Sequence, residues 1–343
     1  MKSTLAAIIA LSALFSVHAQ EAYQAPLVTK SVLLDIDTAD YVVVAGERGH
    51  VLTSSDGENF VQQAVPVNAT LTAVDIVGDD VWVAGHDATI LHSSDRGTTW
   101  TVQMSAPELE KPFLDILFFD HQHGVAAGAY GLFFRTRDGG KTWNRELHAT
   151  LLNPYDQEYL DEVKRDTPEY YEEELRAILP HLNKLEQVGE TLYLVGEAGL
   201  VAMSDNMGET WTRMDTTYEG SFLDVAETAD DTIVIAGLRG HTFVRRGTGE
   251  WENVPTCLSG SLNKILPAGD RVRLFGNNGM MISVPASLET SEFDPWGPAD
   301  SCEPVDGLSR EQLKDKASIV SVARFNGHLI AVTANGIKQL DMD

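Results

Sequence analysis

Positive charge is what this chain has least of. Its 343 residues carry 25 Lys and Arg against 51 Asp and Glu, a formal net charge of −26 at pH 7. A field of that sign repels nucleic acid and anionic lipid, so neither is an expected partner, and it favours solubility. Cysteine is almost missing too. Cys257 and Cys302 are the only two, which leaves room for one disulfide in an oxidising compartment. After the first twenty residues no apolar stretch approaches membrane-span length, so the chain reads as not membrane-spanning. It has no phosphate loop, no Gly-x-Ser-x-Gly elbow and no Cys-x-x-Cys pair. No cofactor is expected on those grounds.

The first residues have the form of a secretory leader. Lys2 opens it, Leu5 to Phe15 is apolar, and Val17-His18-Ala19 supplies the small residues of a cleavage site before Gln20. No Cys follows, so a bacterial lipoprotein anchor is not predicted. The expected mature chain, residues 20–343, is one domain, periplasmic or secreted.

What the chain has in quantity is repetition. Tyr41-Val-Val-Val-Ala-Gly46 is echoed by Val81-Trp-Val-Ala-Gly85, Val125-Ala-Ala-Gly128, Leu194-Val-Gly196, Ile233-Val-Ile-Ala-Gly237, Arg273-Leu-Phe-Gly276 and, faintly, Leu329-Ile-Ala-Val-Thr333. Apart from one insertion the period is near forty, which predicts the blades of a β-propeller, about seven, each of four strands. In five copies a second Gly stands three residues on, forming Gly-x-x-Gly. Such a pair permits a tight turn with left-handed backbone. A second motif follows the next strand: Ser93-Ser-Asp95-Arg-Gly97-Thr-Thr99-Trp100, then Thr136 to Trp143 around Asp138, then Ser204 to Trp211 with Asn206 in the Asp place. Ser54-Ser-Asp56-Gly-Glu-Asn-Phe60 is a shorter copy and Arg246 to Trp251 a worn one. A side-chain oxygen at this spacing accepts backbone N–H groups of its own hairpin turn, so Asp56, Asp95, Asp138 and Asn206 are predicted to be structural. Trp100, Trp143 and Trp211 begin the outer strands and pack between blades.

These repeats resemble the Asp-box (BNR) repeats of sialidases and sortilin-type propellers. The fuller pattern, Phe113-Leu-Asp-Ile-Leu-Phe-Phe-Asp120-His-Gln-His-Gly124 through Gly128 and Gly131 into the Asp box, resembles the photosystem II stability/assembly factor-like propeller family. The resemblance covers most of residues 31–340. It implies an all-β propeller that binds a protein and is not an enzyme, since the family's photosynthetic members hold a newly made photosystem II subunit. The family's recognition surface is basic and this chain is acidic, so a different envelope or membrane protein is the expected client.

With strands lettered A to D from the axis outward, Asp boxes fall in C–D turns on one face. The Gly-x-x-Gly turns (B–C) and the D–A links fall on the other. That second face is the expected binding surface, through Glu47, Arg48, His86, Asp87, Tyr130, Glu197, Arg239, Asn277 and Asn278. Residues 148–187, between blades three and four, read as a helical insertion. Thr167 caps, Pro168 starts, Pro180 stops, and Tyr171, Leu175, Ile178 and Leu182 form an apolar stripe expected to pack on the rim. Residues 286–317 read as an irregular insertion between blades six and seven. Cys257 and Cys302 then lie on neighbouring links of one face and are the disulfide candidate. Blade seven runs out at Lys338-Gln-Leu340, and Tyr23 to Val28 is the predicted source of its fourth strand.

A sialidase-like hydrolase of carbohydrate is the rival function. Such chemistry calls for an arginine triad, and only Arg48 and Arg239 occupy equivalent loops. His121-Gln-His123 has no third ligand at a zinc spacing, so no metal is predicted.

Overall fold

A computed structural model describes residues 22–228, 231–293 and 302–340. The proposed leader and its cleavage site lie outside these residues. Seven antiparallel sheets follow one another along the chain and close into a ring, a seven-bladed propeller. The blades comprise Leu33–Gln62, Leu71–Met104, Phe113–Arg145, Leu182–Met214, Phe222–Asn253, Leu262–Gln312 and Ile319–Leu340. The first six have four strands and the seventh has three.

The B strands show why the sequence builds blades. Val42–Gly46, Gly124–Gly128 and Thr232–Gly237 are buried at every residue, as a strand covered on both faces requires. Each pair of neighbouring blades then shares one hydrophobic cluster, seven in all among the described residues. The Asp-box tryptophans join them: Trp100 packs between blades one and two, Trp143 between two and three, Trp211 between three and four.

Polar latches reinforce this packing. On the Asp-box face, turn carbonyls accept from the preceding blade: Gly139 O from Gln103 Nε2 at 2.8 Å, Met207 O from Arg135 Nη1 at 2.7 Å, Gly57 O from Gln339 Nε2 at 2.7 Å. The last of these, with Thr38 Oγ1 to Arg324 O at 3.1 Å, closes the ring between blades seven and one.

Closure departs from the expected strand exchange. The segment Ala22–Ala25 runs beside the outer strand of blade one. Ala22 N–H donates to Val65 O, and Gln62 Nε2 donates to Tyr23 O. Val28–Lys30 is a 3-10 turn set against the start of the last strand. The side-chain amide of Gln62 also accepts from Ala25 N–H at 2.9 Å, and so draws the segment onto the wrong blade for the predicted role.

Two insertions also differ from their predicted bounds. Between blades three and four stand two helices, α1 (Pro154–Asp166) and α2 (Tyr171–Ile178). Asn153, whose side chain accepts Asp156 N–H, caps α1. Thr167 makes no side-chain cap, and Leu182 belongs to the inner strand Leu182–Val188, not to a helix. Leu160, Leu175 and Leu179 are buried in the cluster shared by blades three and four, so the helices pack on the rim.

Residues 286–317 do not separate blades six and seven. Ser309–Gln312 is the outer strand of blade six, paired with Met280–Ser283, and the excursion is therefore a C–D connection. It starts from the Asp-box face and climbs the rim. Ser291 bridges Asn253 of blade five, and Val305 N–H donates to Pro255 O. Residues 294–301 within it are outside the described set. This climb brings Cys302 to Cys257 in the link between blades five and six, where the two are bonded.

Candidate functional site

The B–C turns define one face of the ring. Each is a single 3-10 turn in blades one, two, three, five and six, and its second residue is left-handed in every case. Arg48, Asp87, Tyr130, Arg239 and Asn278 have φ between 51° and 60°, and Ala198 of blade four has φ 54°. The second Gly of each motif is also left-handed, Gly49 at 71° and Gly131 at 63° for example. The first Gly is not. Gly46, Gly128 and Gly276 are extended, so the reason for glycine there is space. A Cβ on Gly46, Gly85, Gly128, Gly196, Gly237 or Gly276 would collide with the carbonyl preceding its own A strand. That carbonyl accepts the next residue's N–H, as Val32 O does from Glu47 and Thr70 O from His86.

All nine residues predicted for the binding surface stand on this face, spread over six blades instead of gathered in one cluster. They divide by what their side chains do. Glu47 and Glu197 turn back to accept Val32 N–H and His181 N–H, both at 3.3 Å, and Asn277 accepts from Asn263. His86, Asp87, Arg239 and Asn278 are exposed. Arg48 is largely exposed as well, 4.0 Å from Glu47. Tyr130 is 51% exposed, with Lys111 Nζ over its ring and His181 at its edge.

The Asp boxes occupy the opposite face. Asp95 accepts Ser93 Oγ at 2.7 Å, Thr99 N–H at 2.8 Å and Thr99 Oγ1 at 2.7 Å. Those bonds hold its carboxyl down at about 2. Asp56 and Asp138 are bonded alike and are also held below the ordinary range. Asn206 keeps the geometry with an amide, accepting Thr210 N–H and donating to Thr210 Oγ1. His121 and His123 do not converge: one pairs with Asp80 at 2.7 Å, the other with Asp120 at 2.8 Å.

The axis carries what sequence reasoning missed. Every A strand has a register shift after its first residue. The bulged residues Leu34, Thr72, Leu114, Asn183, Leu223, Asn263 and Val320 rim a cavity of about 280 Å³ on the axis. Because A strands start from the Gly-x-x-Gly face, the cavity lies toward that face. Below the rim sit Asp35, Asp115, Lys184, Asp224 and Lys264. Their arrangement follows from the A strand being the inner edge of its sheet, with N–H groups that its own blade leaves unpaired. Asp35 accepts Val74 N–H at 3.0 Å, Asp115 accepts Leu185 N–H at 2.7 Å, and Asp224 accepts Ile265 N–H at 2.7 Å, each from the next blade. Asp37 and Asp75 repeat the bond one step deeper, to Ile76 and Phe118.

Lys184 Nζ meets Asp115 at 2.9 Å and Lys264 Nζ lies 3.4 Å from Asp224. Burial works against both ammonium groups, yet Asp115 and Asp224 respectively lead the attractions that hold them above the ordinary lysine range. Burial pushes Asp37 up to about 6 and Glu186 up to about 7. The signal for this array was the recurring Leu-Asp of Leu34-Asp35, Leu114-Asp115 and Leu223-Asp224.

Comparison with known proteins agrees with the resemblance seen in the repeats. A family described as photosynthesis system II assembly factor YCF48 matches residues 16–107. The photosystem II assembly lipoprotein Ycf48 of Synechococcus sp. (strain CC9902) is 30% identical over 81 residues. That alignment spans 23% of this chain and 24% of the relative. Among solved structures, YCF48 from Cyanidioschyzon merolae superposes with a TM-score of 0.65 at 17% identity, over 93% of this chain and 96% of that one. YCF48 bound to D1 peptide gives 0.63 at 15%, over 93% and 94%. BamB from Moraxella catarrhalis gives 0.55 at 15%, over 90% and 81%. At these identities the structures share the fold with this chain. The chain is similar to the YCF48 assembly-factor propellers.

Proposed function

We propose that this chain is an exported, non-enzymatic propeller that binds another protein during assembly of an envelope complex. The observation that carries the reading is the ring of B–C turns. One backbone conformation recurs six times, each time with a non-glycine residue in left-handed geometry. Left-handed backbone costs such residues about 1 kcal/mol apiece. The frame is constant while the exposed side chain changes from Arg48 to Asp87, Tyr130, Ala198, Arg239 and Asn278. A rigid scaffold bearing varied side chains is suited to reading one particular surface. Similarity to YCF48, one structure of which holds a D1 peptide, supports a protein ligand. The net charge of −26 supports a client other than a photosystem subunit.

The test is an affinity capture from detergent-solubilised envelopes with the mature chain and with an Arg48→Ala, Tyr130→Ala, Arg239→Ala variant. A membrane protein retained by the first and lost by the second is the expected result. Identical captures would remove this face from consideration.

One observation favours the hydrolase reading. Glu186, a half-buried carboxyl on the inner strand Leu182–Val188, is pushed up by burial to about 7, where a general acid works. Turnover of a chromogenic glycoside panel that Glu186→Gln abolishes would replace the binding function with that one.

A further inference from the structure

Cations are rare in this chain, and three of them stand around the rim of blade three. Lys111 lies in the link entering the blade, Arg145 in its outer strand Asn144–Arg145, and Arg176 on α2, which packs over the turn Ala129–Gly131. Along the outer strand, neighbouring side chains point to opposite sides. Glu146 turns to Arg135, at 2.7 Å, and so Arg145 faces the other way, toward blade two and Lys111. The Arg145 Nε is buried and has no hydrogen-bond partner among the described residues. Lys111 Nζ makes one bond, to Tyr130 O at 3.1 Å, and stands 5.4 Å from the centre of the Tyr130 ring. Arg176 reaches Glu172 at 2.8 Å on the exposed side of its helix.

The balance of charge is unusual. Burial first, and then Arg145 and Arg176, push the Lys111 ammonium down. Burial and then Arg176 do the same to the Arg145 guanidinium. Three like charges that repel one another, of which Arg176 alone has a carboxylate partner and Arg145 has an unsatisfied buried donor, are an arrangement that an anion would relieve. A guanidinium fork and an ammonium together match a group that has two or three oxygens on one centre.

We propose that Lys111, Arg145 and Arg176 form a binding site for an oxyanion, a carboxylate or phosphate group, walled by the exposed ring of Tyr130. The site goes beyond the client-binding reading, because the anion is either free in solution or an acidic side chain of a bound protein. Both sources present the same chemistry.

The experiment titrates the mature chain by calorimetry at low ionic strength, with inorganic phosphate in one arm and a short oligoglutamate peptide in the other. Arg145→Gln and Lys111→Gln are the test variants. Arg165→Gln, an exposed arginine paired with Asp166 on α1, is the control. Far-UV circular dichroism checks that each variant is folded, and a variant that is not is replaced by Arg176→Gln. Saturable binding by the wild type, at least tenfold weaker in the test variants and unchanged in the control, is expected in one arm or both. Phosphate alone identifies a free anion, and peptide binding that phosphate competes away identifies a protein's carboxylate. Failure of the wild type to bind either probe overturns the site. So does binding that the test variants retain, or loss that chloride at equal ionic strength reproduces. Because no client is needed, loss of this site leaves the envelope capture result standing.

Discussion

His50 follows the Gly-x-x-Gly turn of blade one and is 2% exposed, and neither ring nitrogen has a partner. The repeat supplies its own comparison. Gly46 N–H donates to His50 O as Gly128 N–H donates to Leu132 O and Gly196 N–H to Leu200 O, so the three positions are equivalent. Leu132 and Leu200 are fully buried. His50→Leu therefore installs the residue that two sibling blades already use. Removing the unsatisfied buried imidazole is worth roughly 1–3 kcal/mol, and imperfect fit of the branched chain takes back about 1 kcal/mol. A net stabilisation of up to about 2 kcal/mol at pH 7.5 is expected by urea denaturation. Burial also holds the His50 imidazole below its ordinary pKa. The unfolded chain then takes up a proton below about pH 6.5 that the folded chain refuses, so stability falls as pH drops through that range. The variant is expected to lose part of this acid sensitivity. His241, at the equivalent place in blade five and also depressed by burial, contributes in the same direction and is left in the variant. A variant that is less stable at pH 7.5, with the wild-type slope between pH 7 and 5, would refute the reasoning.

Other perturbations probe the axis, the turns and the rim. Asp37→Asn keeps an acceptor for Ile76 N–H and removes a carboxylate whose folded pKa is raised to about 6. The native chain binds the extra proton between about pH 4 and 6, so this group's contribution falls as pH rises through that window. The variant should gain on the order of 1–3 kcal/mol over wild type at pH 7.5 and little at pH 4.5, read as the difference between urea midpoints. Asp95→Asn is expected to be tolerated, since Asn206 performs the same task in blade four, whereas Asp95→Ala should cost about 1 kcal/mol in thermal denaturation. Cys257→Ser opens a crosslink spanning 45 residues, for which chain entropy gives at most about 4 kcal/mol. A matching fall in stability when the wild type is reduced with dithiothreitol is the check.

Sequence reading went furthest where the backbone itself demands a residue type. Gly at a crowded strand end recurs in six blades, a hydrogen-bonding Asp or Asn in a hairpin in four and Trp at a blade interface in three, and each reports a local requirement. It failed where the requirement is distant or weak. The outer strand of blade six, Ser309–Gln312, is exposed at every residue and has no tryptophan before it, so it carried no strand signal. Helix α1 buries only Leu160 and so lacked an apolar stripe. The aspartates of the A strands were visible as Leu-Asp pairs. Their partners are backbone N–H groups roughly forty or more residues away on the next blade, which no local pattern encodes.

The same distinction separates what holds the ring from what the ring can bind. Side chains fixed by the repeat, such as the Asp-box carboxylates and the axial aspartates, are tied to backbone N–H groups of their own or the next blade, and substitution there is read as lost stability. The cations at blade three come from a link, a strand and a helical insertion that no other blade has. Nothing in the repeat calls for Lys111, Arg145 and Arg176 to lie together, and their mutual repulsion works against the fold. A cluster that the fold does not need, and that packed Leu175 of α2 and Leu179 just after it nevertheless hold against the rim, is where a function added to the propeller is most sharply separable from its architecture.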